Sequence, residues 1–143
     1  MNYMDFIGVK GALVYEGMLV VIQRDNKPGL RFAGLWDFPG GGREGNETPF
    51  ECLNREVFEE LHMHLKKSAV VWETTHPAMY DPSLLAYFIV IPITKADVDS
   101  IVFGDEGQGW KLMDVDEFMD SKEVVPDLKG RLQPYLDSGQ HLL

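Results

Sequence analysis

Hydrophobic and polar positions along the chain change period several times, and each change predicts an element. Residues 5–15 (DFIGVKGALVY) and 18–23 (MLVVIQ) are apolar runs of strand length, joined by a tight turn at Glu16-Gly17. Residues 24–34 (RDNKPGLRFAG) are polar and carry Pro28 and Gly29, which predicts a loop. LWDF (35–38) is a short strand, followed by a glycine-rich loop, PGGGREGNE (39–47). SAVVWET (68–74), LLAYFIVIPI (84–93) and GWKLM (109–113) read as further strands.

Helical spacing begins at Thr48. It serves as N-cap, Pro49 occupies the first helical position, and Glu51 completes a T-x-x-E capping box. Phe50, Leu53, Val57 and Leu61 recur every three or four residues and form one apolar stripe. DVDE (114–117) caps a short helix. A last helix runs from Pro126 to Leu136, with Leu128, Leu132 and Leu136 on one face and Gly139 beyond its end. Strands and helices alternate around one long helix. The expected fold class is therefore α/β, a mixed sheet sandwiched between α-helices, in a single domain over residues 1–143.

Glu56, Glu59 and Glu60 fall together beside or behind the stripe of the first helix. Glu56 faces both others, and like charges at that spacing destabilise a helix by about 0.2–0.5 kcal/mol per pair. Anions near a helix C-terminus cost roughly another 0.3–1 kcal/mol. A hard divalent cation would cancel that repulsion; Mg²⁺ takes oxygen ligands and is commonly held by a few carboxylates and substrate phosphates, and Mn²⁺ can substitute. A solvated acidic face is the other reading of the same residues.

Charge narrows the partners. A formal net charge of −10 argues against a nucleic-acid polymer as partner, because such binding needs a basic footprint. A small anionic ligand is compatible only where cations bridge the repulsion. The longest apolar run, residues 84–93, is too short to span a bilayer, and MNYMDFIGVK lacks the layout of a signal peptide. The single cysteine, Cys52, leaves no internal disulfide and suits a reducing, cytoplasmic setting. His64, His76 and His141 lack metal-ligand spacing with one another.

The stretch from Gly41 to Met63 resembles the Nudix hydrolase family, whose box reads G-x5-E-x7-R-E-U-x-E-E-x-G-U, with U a bulky aliphatic residue. Gly41, Glu47, Arg55, Glu56, Glu59 and Glu60 match six of its seven fixed positions, and Val57 and Met63 match both U positions. The resemblance implies Mg²⁺-dependent hydrolysis of a nucleoside diphosphate linked to another group. It implies that Glu56, Glu59 and Glu60 bind metal, with the Gly40 carbonyl, and that Glu47 and Arg55 support the site with Gly41. LWDFPGG, including Phe38, is similar to the entry into the box in MutT-type members, and Phe38 is carried over as a substrate contact. GDEGQGW (104–110) is similar to a downstream segment whose glutamate, here Glu106, acts as a further metal ligand or as the base. Arg24 matches an arginine that contacts substrate phosphate. Arg31 and Arg43 are further phosphate candidates without a firm match.

Two positions depart from the pattern. His62 stands in place of the last box glycine, and Val124 stands where guanine-reading members carry an asparagine. Valine has no amide to read a guanine edge, so specificity for 8-oxo-dGTP is not carried over. The expected activity is cleavage of a phosphoanhydride in a (d)NTP or related small nucleotide, with Glu56 or Glu106 as general base. ADP-ribose, nucleotide-sugar or dinucleoside-polyphosphate hydrolysis, or nucleotide sensing without catalysis, are the alternatives. A monomer or homodimer is expected.

Overall fold

The computed structural model describes residues 5–139; His141 lies outside them. β1 (Phe6–Tyr15) and β2 (Met18–Gln23) form a hairpin. Its two-residue turn puts Glu16 at φ 48° and Gly17 at φ 74°, the left-handed pair that matches strand twist. β3 (Trp36–Asp37), β5 (Trp72–Pro77), β6 (Leu85–Pro92) and β7 (Gly109–Asp114) join them in one sheet. The main path runs β3-β2-β1-β6-β5, with β7 on β2. β1 and β6 pair in parallel, and the other pairs are antiparallel.

Period-two alternation divides the strands between two cores. Val9 and Leu13 of β1, Val20 and Ile22 of β2, and Ile89 and Ile91 of β6 point to one face. α1 (Pro49–Leu61) covers that face with Leu53, Val57 and Leu61, all fully buried. Ala12, Val14, Leu19, Val21, Phe88 and Val90 point to the other face. It is covered by α3 (Val115–Asp120) and α4 (Asp127–Asp137), through Phe118, Leu128 and Leu132. The mixed sheet thus lies between helical layers. Among the described residues, no helix is long and apolar enough to cross a membrane.

Four segments differ from the pattern-based reading. Within 39–47, Gly40–Gly42 forms a short strand, β4, antiparallel to β1 in the register Val9↔Gly41. Three glycines carry no strand propensity; the β1 backbone imposes the conformation. The strand expected at 68–74 begins at Trp72 and runs to Pro77, after one 3₁₀ turn at Lys67–Ala69. β6 sets that register, through Trp72↔Val90 to Pro77↔Leu85, and Pro77 is tolerated because β5 is an edge. A short helix, α2 (Lys95–Asp99), was missed, although Thr94 and Asp97 carry its capping box. The last helix starts at Asp127, with Pro126 as its N-cap, and extends to Asp137.

Among the described glycines, Gly40 has the least room for a side chain. Its φ is 138°, and a Cβ there would lie 2.1 Å from the Val9 carbonyl oxygen. Gly40→Ala combines a strained backbone with a backbone clash, each worth roughly 1–3 kcal/mol. Urea unfolding is expected to show a loss of about 2–6 kcal/mol. A loss below about 0.5 kcal/mol would mean that β4 does not sit this close to β1.

Candidate active site

α1 is aimed by its start. Thr48 Oγ1 accepts from the Glu51 N–H at 3.2 Å, and Glu51 accepts from the Thr48 N–H at 2.9 Å. The helix then sits close on β1, because a Cβ at Gly11 would come within 2.7 Å of a Leu53 methyl. The same closeness brings β4 against the helix's acidic side. A Cβ at Gly41 would meet Glu56 Oε2 at 2.5 Å. The Gly40 N–H donates to Glu60 Oε1 at 2.9 Å.

The end of α1 is held from outside. His62 leaves the helix in the left-handed region, at φ 56° and ψ 34°, where a glycine would carry less strain. Its Nδ1 lies 2.8 Å from the Val102 carbonyl oxygen. That oxygen only accepts, so Nδ1 carries the proton. The Val102 N–H donates to the Leu61 carbonyl at 3.1 Å, and the Gly104 N–H to the Glu60 carbonyl at 2.8 Å. Helix-end carbonyls are therefore satisfied by the segment that leads to Glu106.

Arg55 gathers the carboxylates around it. Its Nε donates to Glu47 Oε2 at 2.7 Å and its second terminal nitrogen to Glu47 Oε1 at 3.1 Å, a bidentate pair. The same nitrogen donates to the Gly42 carbonyl at 2.7 Å, tying helix to β4. The other terminal nitrogen contacts Glu56 Oε1 at 2.9 Å and Glu59 Oε2 at 3.0 Å. Arg55 holds the Glu47 carboxyl below its ordinary range, and Glu47 raises Arg55 in turn. Repulsion between Glu56 and Glu59 is thus offset by the positive charge of the Arg55 guanidinium.

Beside β4 lies a cleft of about 610 Å³ lined by Gly40, Gly41, Glu56, Glu60 and Glu106, among others. Glu59 is exposed and is not part of its wall, while Glu106 is exposed where it lines the cleft. Phe38 reaches the cleft but is 1% exposed, with its ring stacked on Phe118 at 4.8 Å between centroids. Arg24 also reaches it and is ion-paired to Asp37 Oδ2 at 3.1 Å. Arg43 is engaged elsewhere, donating to the Glu47 carbonyl and lying over the Phe6 ring. Arg31 lies 4.8 Å from the ring centroids of both Phe32 and Tyr80. Val124 is buried in the core and bridges to Trp36.

Three further cleft residues escaped the sequence reading. Lys10 donates to Asp37 Oδ2 at 3.0 Å, Asp37 is itself buried, and Arg131 is buried on α4. The signals were present. Lys10 interrupts an apolar strand, Asp37 lies between two aromatics, and Arg131 sits in the stripe of Leu128, Leu132 and Tyr135.

Among the described residues, no three acidic, histidine or cysteine side chains stand close enough together to hold a metal ion. Glu56 and Glu60 nevertheless fit one by chemistry. Both offer carboxylate oxygens to the cleft, and burial raises both, Glu60 to about 8. Mg²⁺ commonly takes one or two carboxylates and leaves its other positions to water and phosphate.

A family model described as the NUDIX domain matches residues 8–133. The chain belongs to the Nudix hydrolase family. Over 57 residues it is 35% identical to the 8-oxo-dGTP diphosphatase of Proteus vulgaris, a match covering 40% of this chain and 51% of that protein. The chain spans about half the length of the curated relatives it matches. Its fold is similar to that of the MutT protein from Methanosarcina mazei Go1, with TM-score 0.72 and 15% identity over 99% of this chain and 100% of that one. It is also similar to a bifunctional NMN adenylyltransferase/ADP ribose pyrophosphatase from Francisella tularensis, solved with AMP and a Mn ion. There the TM-score is 0.73 and the identity 18%, over 96% of this chain and 42% of that one.

The Glu60 shift has a definite sign. An acid raised from 4.5 to about 8 on folding contributes stability that is fully present below pH 4.5 and is lost as pH rises toward 8. In EDTA, the protein is expected to lose thermal stability between about pH 5 and 8, and Glu60→Gln is expected to flatten that loss. Identical pH slopes for the two proteins would show that Glu60 does not carry the buried charge.

Proposed function

We propose that this chain is a Mg²⁺-dependent pyrophosphohydrolase of small nucleotides, most simply a (d)NTP, cut at a phosphoanhydride. One arrangement carries the reading: Glu56 and Glu60 are pressed onto the Gly40–Gly41 backbone, in a cleft that also holds Lys10 and Arg24. Acid and base chemistry thus stands beside two cations able to meet an anionic substrate. The relatives' names concern nucleotide anhydrides, which supports the same substrate class. Mn²⁺ is the alternative ion, the one with which the Francisella neighbour was solved.

In this reading Glu56 and Glu60 hold the ion, with the Gly40 carbonyl, and Glu59 and Glu106 are available to further ions. When bound, the ion neutralises the diphosphate and lowers the pKa of a bound water. Glu56 takes the proton from the attacking water. Glu106 is the second candidate for that role. Arg55 and Glu47 keep β4 and α1 in register, so that Glu56 meets the cleft at a fixed height. Lys10 and Arg24 exchange part of their contact with Asp37 for substrate phosphate. The protein works in the cytoplasm, as a monomer or homodimer.

Turnover of a nucleotide panel with Mg²⁺ tests the reading, and the appearance of pyrophosphate or orthophosphate locates the cleaved bond. Glu56→Gln is expected to fold normally and lose about 10²–10⁴-fold in kcat, the usual range for a general base. Removal of the ion with EDTA is expected to abolish activity. Nucleotide binding without turnover would point instead to a sensing domain, and near-normal turnover by Glu56→Gln would transfer the base role to Glu106.

A further inference from the structure

Arg131 is a charged group that this chemistry leaves unused. It is 4% exposed, on the apolar stripe of α4, and it lines the cleft. One terminal nitrogen donates to the Pro77 carbonyl at 3.2 Å. Among the described residues it has no ion pair. Burying a cation outside ion-pair distance of any carboxylate is expensive; desolvation lowers its pKa, offset only in part by the charges of Asp127 and Asp37. A leucine or methionine would serve the stripe better. Most of the five N–H donors of its guanidinium are left for whatever fills the cleft.

A second observation points the same way. Asp37 Oδ2 receives both Lys10 and Arg24, but Asp37 Oδ1 is buried with no hydrogen-bond partner. Asp37 lines the same cleft. The same cleft also offers apolar wall, from Phe38, Ala78 and Val125, against which a flat ring can lie while Lys10 and Arg24 meet phosphate. The unanswered groups are a donor fork and an acceptor.

We propose that Arg131 and Asp37 read the base of the nucleotide and select a 6-oxopurine. The guanidinium donates to N7 and O6, and Asp37 Oδ1 accepts from N1–H. This inference rests on the nucleotide reading above. A guanidinium fork on N7 and O6 is the commonest specific arginine–base contact. Guanine and hypoxanthine present that edge as acceptor, acceptor, donor. Adenine places an amino donor at position 6, against the fork. 8-Oxoguanine carries hydrogen on N7 and also opposes it. The selectivity therefore differs from the one named for the Proteus relative.

The test is kcat/KM for dGTP, dITP, dATP and 8-oxo-dGTP with Mg²⁺, in the wild type, Arg131→Met and Arg131→Lys. A bidentate contact gives roughly 5- to 150-fold discrimination. The wild type is expected to favour dGTP and dITP over the other two by about tenfold or more. Arg131→Met is expected to bring all four within about threefold, through a higher KM for the 6-oxopurines, with dATP unchanged. Should Arg131→Met fail to fold, Arg131→Lys keeps the charge without the fork and is expected to lose the preference likewise. A wild type without base preference, or a folded variant that retains it, overturns the inference and leaves the hydrolase reading intact. If no nucleotide is turned over, the hydrolase reading fails, and calorimetric titration with dGTP and dATP decides the base reading. Tighter dGTP binding supports it, and equal affinities overturn it.

Discussion

Contact between the carboxylates of α1 and the bare backbone of β4 is the constraint on which the rest of the structure depends. Glu56 rests over Gly41 with no room for a β-carbon, and Glu60 accepts from the Gly40 N–H. Every other part of the site serves that approach. Gly11 lets the helix settle onto β1, and Arg55 pins β4 to the helix through the Gly42 carbonyl. The fully buried stripe of Leu53, Val57 and Leu61 supplies the hydrophobic force that holds the helix down.

Charge is arranged against the character of the whole molecule. The chain carries a formal net charge of −10, yet its cleft contains Lys10, Arg24 and Arg131. Asp37 keeps Lys10 and Arg24 together on one carboxylate oxygen. Local cations, not the overall field, would thus set the approach of an anion.

Much of this was legible in the sequence. Apolar runs of strand length marked β1, β2 and β6, and the capping box placed the start of α1 to the residue. The resemblance to the Nudix box named Glu47 and Arg55 as a supporting pair, and the two form a bidentate contact. What escaped was set by tertiary contact. β4 is a strand only because β1 lies beside it, and β5 takes its register from β6. The acidic triad looked like one group on a helical wheel, but Arg55 holds Glu59 on the solvent side while Glu56 and Glu60 turn to the cleft. Lys10, Asp37 and Arg131 come from three distant segments, and a linear pattern has no means of bringing them together.

The borrowed ending of α1 has a consequence for how such a chain can vary. Its last carbonyls are closed by Val102 and Gly104, and the His62 ring ties to the same segment. The stretch from 101 to 106 looks like a surface loop, yet it behaves as an extension of the helix. Adding or deleting one residue there would shift Glu106 relative to the cleft. The loop at 24–34 has no such splice to a helix end among the described residues, and its length bears on the cleft only through its own lining residues.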